Sequence, residues 1–335
     1  MRAADAAPLP LRPLFMERLW GGSALAARFG KHPPQSGPIG ESWEAADFEG
    51  HVSEVARGAH AGKSLRELAA QHGGGLYGGA ALPDGRMPLL FKLIDAARDL
   101  SVQVHPRDED AAPGSGARGK EEAWYVLAAA PGARIVHGLA PGVGNDEFYR
   151  AVAAGAAEAH LAWHPVKAGE VYYIPAGTIH AIGAGLLLAE IQQSSDTTYR
   201  IYDWGRKGLD GAPRPLHIEE AARIPAAPRA ACPWPPAARG AEPGAPDLLV
   251  DGGHFRLLSY VLGGGLRAEG RLSDSFAILF TVDGEAELRN ASGVHGLLRG
   301  ETWLLPAWTG AWSIVARERW RALWMEPAAG MGRAL

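Results

Sequence analysis

The chain repeats itself, and that repeat limits its architecture more than any other feature. GEVYYIPAGTIHAIG from Gly169 and GETWLLPAWTGAW from Gly300 share a glycine, an acid, a short apolar run and Pro-Ala. Gly169 and Gly300, like Pro175 and Pro306, lie 131 residues apart. With 335 residues and domains of about 100–200, the simplest reading is one fold used twice. Its class follows from punctuation: 44 glycines and 25 prolines favour short elements joined by tight turns. Apolar runs bounded by such residues at 89–95, 100–105, 122–128, 171–175, 186–192, 257–262, 276–282 and 302–306 read as strands. Helical patterns are confined to Ser64–His72 and Asp146–Ala154, both expected at the periphery. Between Pro225 and Pro246 the sequence IPAAPRAACPWPPAARGAEPGAP has no periodicity, and its prolines lack the donor that a ladder or helix needs. The expected division is therefore residues 1–224, a linker at 225–246, and residues 247–335.

Other features restrict function. Lys plus Arg number 33 against 37 Asp plus Glu, a formal net charge of −4, so no basic surface is available to displace counterions from nucleic acid. Cys232 is the single thiol, which removes thiolate zinc clusters, iron–sulfur sites and intrachain disulfides. The opening MRAADAAPLPLRPLF carries Asp5 and three prolines. It has no apolar run approaching a membrane span or a signal-peptide core, so a cytoplasmic protein without a membrane partner is expected. The oligomeric state is left open.

Three segments carry chemistry. In LSVQVHP at 100–106, alternate strand residues share a face, so Ser101, Gln103 and His105 are expected opposite Leu100, Val102 and Val104. Alone, that pattern also suits a half-buried strand with a polar solvent face. GKEEAWYVL at 119–127 adds Glu122 at the head of an apolar strand, and IPAGTIHAIG at 174–183 adds His180 after a Pro/Gly turn. An amide, two imidazoles and a carboxylate form a mixed nitrogen–oxygen set suited to zinc or another divalent metal.

The pattern G(x)5PxG(x)2H ending at His180 resembles the second motif of the cupin superfamily, a β jelly roll, with Ala184 where an asparagine is frequent. More specifically, the chain resembles the shorter bacterial form of the type I phosphomannose isomerase family. The likeness runs through ERLWGG at 17–22, GESWEAAD at 40–47, FKLIDAARDLSVQVHPRDEDA at 91–111 and GKEEAWYVL to IPAGTIHAIGAGLLLAEIQQSSDTTYRIYDWGR at 174–206. It implies a mostly β protein of two cupin-like jelly-roll domains with a few peripheral helices. It also implies one Zn2+ per chain on Gln103, His105, Glu122 and His180, a catalytic arginine at Arg200, and pocket lysines at Lys92 and Lys120. Ser101 joins Lys92 as a candidate substrate contact. Gly119 stands where longer members carry a histidine before the lysine, so a proton-transfer role for that histidine does not carry over.

The implied reaction interconverts mannose 6-phosphate and fructose 6-phosphate through an enediol. A proton leaves C2 and returns to C1 while negative charge develops on oxygen. Lysines can meet the phosphate of the small sugar substrate. Glu190 and Lys120 are the candidate bases, and for Glu190 an ion pair is the competing role. Two rivals are a metal-dependent cupin oxygenase and a noncatalytic sugar-binding cupin protein. Gln103 argues against redox iron, and retention of every metal position with Arg200 argues against decay. In the second repeat, Ala311 falls at the offset of His180, so that half is expected to bind no metal. Trp308, at the offset of Gly177, is expected to fill the equivalent cavity. Trp303, Trp308, Trp312, Trp320 and Trp324 are read as core. His32, His51, His60, His72, His160 and His164 are read as surface or loop residues.

Overall fold

Four antiparallel sheets stacked face to face form the body of the fold. The computed structural model describes residues 7–34, 37–48, 50–111, 118–228, 230–234 and 242–328, so the linker segments at 229 and 235–241 lie outside the described residues. The first pair comprises a five-stranded sheet, in the order Leu161–Pro165, Arg134–Leu139, His180–Ile182, Val102–Val104, Tyr199–Tyr202, and a six-stranded one. The latter runs Val171–Ile174, Glu122–Ala129, Leu186–Gln193, Leu89–Ala96, Ile39–Ala45, Leu14–Gly22. The second pair has a seven-stranded sheet, running Asp247–Asp251, Phe255–Leu262, Trp320–Pro327, Ala277–Asp283, Thr302–Leu305, Leu9–Arg12, Glu54–Val55. Its outer sheet has four strands: Arg267–Leu272, Gly310–Ala316, Ala286–Asn290 and Gly293–Leu297. The protein is mostly β and cupin-like, with short helices at the edges. No helix among the described residues is long and apolar enough to cross a membrane.

The layering explains why the central strands are apolar on both faces. Ile278 and Phe280 face Leu89 and Phe91 in a cluster between the six- and seven-stranded sheets, while Ala277 and Leu279 turn into the second sandwich. Likewise Ala123, Tyr125 and Leu127 join the intersheet cluster, and Trp124 and Val126 turn into the first sandwich. Strands buried on both sides lose simple alternation. The outer face of the five-stranded sheet is also covered. Val102 and Val104 pack there against Phe148 of helix Asn145–Ala153 and Ala221 of helix Ile218–Arg223. Leu100 departs from the expected alternation: it precedes the strand and joins Ile182 inside the sandwich. Helix Leu65–His72 begins at Ser64 with a complete capping box to Glu67.

Pairing also carries the chain's start across. Leu9 and Pro10 lie opposite Leu304 and Trp303, and Leu11 and Arg12 opposite Val55 and Glu54, so residues before 225 contribute two strands to the second sheet pair. Between the pairs sits a buried ion pair. Lys31 Nζ lies 2.8 Å from Glu44 Oε1, and Thr302 Oγ1 donates to Glu44 Oε2 at 2.7 Å.

In both repeats the Pro-Ala turn carries the chain from an inner sheet to an outer one. In the first, Gly177 adopts φ +89°, and a Cβ there would lie 2.4 Å from Pro225 O, a contact only glycine allows. In the second, the turn Ala307–Thr309 is a short 3-10 segment, and Trp308 packs its ring on His72, centroids 5.0 Å apart. Trp308 thus joins the intersheet cluster rather than filling the second sandwich. The inward position one residue past the strict offset is taken by Trp312, which packs on Trp324 at 4.9 Å, whereas Ala311 is exposed. His60, expected at the surface or in a loop, stands in a turn and is buried there beside His72.

Candidate metal centre and active-site cavity

Cross-strand register assembles the site. His180 lies opposite Gln103, and Gln103 lies opposite Arg200 on its other side, so three neighbouring strands of the five-stranded sheet present one transverse row. From the facing sheet, Glu122 lies opposite Gln192, and Lys92 lies opposite Glu190. His105 follows directly on the strand Val102–Val104. One ligand atom each from His105, Glu122 and His180 fall within 4.8 Å of one another, and all three residues are buried.

The donor atoms are prepared for a cation. His105 Nδ1 donates to Thr197 O and His180 Nδ1 donates to Thr178 O, each at 2.9 Å. Those bonds fix the tautomer and leave both Nε2 lone pairs turned inward, 3.2 and 3.7 Å from the Glu122 carboxylate oxygens. Gln103 presents its Nε2 to His180 Nε2 at 3.2 Å, and a half turn of the amide would bring its oxygen there instead. Burial opposes charge on Glu122, but the Lys120 ammonium, His105 and His180 outweigh it and hold its carboxyl well below the usual range. Burial, helped by Lys120, lowers the pKa of His105. Burial and the neighbouring His105 push His180 down to about 3. A carboxylate with two neutral imidazoles therefore persists across the physiological range, which fits a divalent ion.

Gln103 and Glu122 border a cavity of about 550 Å³ that also receives Ser101, Lys92, Lys120, Glu190 and Arg200. Lys120 Nζ lies 2.6 Å from Glu122 Oε1 and donates to His105 Nε2 at 3.2 Å. Lys92 Nζ is paired with Glu190 Oε1 at 2.8 Å, and Trp124 Nε1 donates to Glu190 Oε2 at 2.7 Å. Burial and the charge of Glu122 raise the pKa of Glu190, against the pull of Lys92. Burial disfavours charge on Lys92, yet Glu190, Glu41 and Glu122 together raise its pKa. Arg200 donates through Nη1 to Pro215 O at 2.9 Å. Its pKa is lowered by burial and by Arg214. Both lysines are buried and ion-paired at the cavity.

Sequence reasoning did not single out Arg18, Glu41, Asp196 and Arg214, which also line the cavity. Glu41 accepts from Arg18 Nη2 at 3.0 Å and from Trp43 Nε1 at 2.9 Å. Arg214 is fixed by Asp203, whose Oδ2 accepts from its Nε at 2.8 Å, and Asp203 also accepts from Arg206 Nε at 3.0 Å. The segments ERLWGG and GESWEAAD held a signal for the first two; Arg214 lies in a loop with no periodic pattern to mark it.

Residues 9–126 match the family described as phosphomannose isomerase type I, catalytic domain. The mannose-6-phosphate isomerase of Streptococcus mutans serotype c is 35% identical over 311 residues, covering 92% of this chain and 95% of that protein. Mannose-6-phosphate isomerase ManA of Bacillus subtilis is 35% identical over 308 residues, with the same coverage. The solved structure of the mannose 6-phosphate isomerase from Bacillus subtilis is similar at a TM-score of 0.86 and 32% identity, over 95% of this chain and 99% of that one.

Proposed function

The chain belongs to the type I phosphomannose isomerase family, and we propose that its charged cavity is where mannose 6-phosphate and fructose 6-phosphate are interconverted. It is an aldose–ketose isomerase. The observation that carries the site assignment is the convergence of His105, Glu122 and His180, with Gln103 beside them, where Glu122 and Gln103 open on a cavity that also holds Glu190 and Arg200. Residues 1–224 supply these groups, with 225–246 as linker and 247–335 as the architectural partner. The rival oxygenase and noncatalytic readings have no comparable support.

Held by Gln103, His105, Glu122 and His180, a divalent ion would polarise the sugar oxygens, and zinc suits this mixture of imidazole, carboxylate and amide donors. Glu190 is the better proton acceptor of the two candidates. Its raised pKa brings it nearer neutrality, and Lys92 and Trp124 hold both of its oxygens. Lys120, pressed against Glu122, serves as a fixed positive charge beside the forming enediolate. Arg200 adds a permanent guanidinium on the facing sheet, and with Arg214 it offers forked donors to the phosphate. Ser101 offers a hydroxyl to the sugar. Lys92 acts through Glu190 rather than on the phosphate. A sugar phosphate as substrate also fits a cytoplasmic site of action.

The test is an assay for fructose 6-phosphate formation combined with metal analysis of the purified protein. Chelation should abolish activity and added divalent metal should restore it. Full activity in metal-free protein would overturn the assignment.

A further inference from the structure

One feature of the second sheet pair reaches the ligand strand through charge rather than through apolar packing. His254 lies in the turn between the strands Asp247–Asp251 and Phe255–Leu262. Its Nδ1 is 3.0 Å from Glu121 Oε2, and its Nε2 is 3.3 Å from Asp108 Oδ2. With a carboxylate on each ring nitrogen, both nitrogens act as donors and the ring is an imidazolium. Glu121 immediately precedes Glu122, and their side chains leave opposite faces of the chain, one toward the second sheet pair and one into the cavity.

The contact closes a ring of hydrogen bonds around the segment that delivers Lys120 and Glu122. Gly119 N donates to Asp108 Oδ1 at 2.8 Å, Gln193 Nε2 donates to Asp108 Oδ2 at 3.0 Å, and Glu121 N donates to Gln193 Oε1 at 2.9 Å. Lys120 N donates to Pro106 O at 3.0 Å, one residue beyond His105. His254 joins the two carboxylates of this ring from outside. The turn that carries it is pressed so close that a Cβ on Gly252 would fall 2.3 Å from Glu121 Oε1. On its other side, Ala328 N donates to His254 O at 3.0 Å, which anchors the turn to the last described residue.

We propose that His254 is a positioning residue for the isomerase: through Glu121 and Asp108 it holds the Gly119–Glu122 segment so that Lys120 and Glu122 keep their places in the metal site. The proposal rests on the metal-site reading above. It gives the second sheet pair a part in the reaction although it supplies none of the cavity groups named there. Losing a group hydrogen-bonded to a metal ligand typically weakens metal affinity or activity by about 10–100-fold, and His254, bonded one residue away from the ligand Glu122, is expected at the low end.

The test compares the full-length enzyme with His254→Gln, Glu121→Gln and the double variant. Three quantities are read: kcat and KM, the rate at which a chelator strips the metal, and the visible d–d absorption of the cobalt(II)-substituted protein. Metal in the unsubstituted enzyme checks the site reading by itself. With that met, His254→Gln should lower kcat about tenfold and speed metal loss about tenfold, with KM changed less than twofold and a shifted cobalt spectrum. The double variant should lose no more than the larger single loss, because both remove one link. Should His254→Gln fail to fold, Glu121→Gln breaks the same link from the other side and its metal-loss rate decides. Unchanged kcat and metal retention in a folded variant would overturn the proposal, even with a lowered thermal midpoint, since His254 would then serve only cohesion.

Discussion

The two sandwiches share a plan and differ in what fills them. In the first, the apolar interior around Trp124, Ile135 and Ile182 stops short of one end, where Glu122, Lys120, Glu190 and Lys92 point into open space. In the second, Trp303, Trp312, Trp320 and Trp324 belong to one interior cluster, and Gly270 has no side chain because a Cβ there would come within 2.7 Å of the Trp312 ring. The difference shows how one fold supports a reactive half and an inert half. Charges tolerate burial in the first because each has an opposite partner at 2.6–2.8 Å, and an unpaired one would be expelled or neutralised. The second has traded that arrangement for aromatic packing.

The comparison breaks most severely if the halves prove separable. The cluster between them takes Leu89, Phe91 and Tyr125 from one side and Phe255, Ile278, Phe280 and Met325 from the other. Truncation after residue 246 would expose that surface and strip Leu9 and Pro10 of their strand partner. Insoluble or unfolded protein is expected, read by solubility and circular dichroism, and a soluble, active fragment would show that the second half is dispensable. Next in size is Arg200→Lys. Lysine keeps the charge but not the fork that Arg200 presents beside Gln103, so kcat should fall about 10²-fold with fold and metal retained. A near-normal rate in a folded, metal-loaded variant would reduce Arg200 to its bond with Pro215.

How far these features were legible in sequence depends on whether their pattern was local. Strand Leu186–Gln193 and strand Glu122–Ala129 announced themselves by apolar content, and the motifs around Gln103, His105, Glu122 and His180 were complete within short segments. Leu100 escapes the expected alternation because alternation holds only inside a strand, and Val102–Val104 begins after it. Ala311 was matched to His180 by counting, but the pleat puts Trp312 inward. A one-residue shift exchanges the faces of a strand, and no count can detect it. Strand Leu9–Arg12 was hidden by its prolines, although Pro10 still serves the sheet as an acceptor, from Ala56 N at 2.7 Å. His254 stands in a turn and Arg214 in a loop, and only the assembled fold brings them to Glu121 and to the cavity.

Trp312→Ala sharpens the comparison from the filled side. The ring is buried against Trp324 and Tyr260, at 4.9 and 6.4 Å. Truncating a buried tryptophan costs about 3–5 kcal/mol, which urea denaturation would register as a lower midpoint. Since the residue is remote from the cavity, kcat should be unchanged in the protein that remains folded. A fall in kcat at a temperature where the variant is fully folded would mean that packing in the second sandwich tunes the first.

The smallest expected effect is a pH dependence of stability set where the two halves meet. Burial opposes charge on His254, but Asp108 and Glu121 raise its pKa from 6.5 to about 9. Its contribution is thus fully present below about pH 6.5, the unfolded value, and is lost as pH rises through about 9. Asp108 runs the other way. The His254 hydrogen bond outweighs burial and, with Gly119 and Gln193, lowers it from 3.8 to about 2, so its contribution is present above about pH 4 and fades as pH falls through 2. The phenol of Tyr173, raised by burial and then by Glu121, stays neutral across that span. Together they predict a thermal midpoint that is level from about pH 4 to 6.5 and declines toward pH 9. The decline should be shallow, because the His254 side chain is 34% exposed and water screens the pair. His254→Gln should flatten the alkaline limb and also weaken the acid limb, since the His254 hydrogen bond is the largest cause of the lowered Asp108 pKa. An unchanged alkaline limb in that variant would assign the decline to other groups and leave His254 uncharged at the junction.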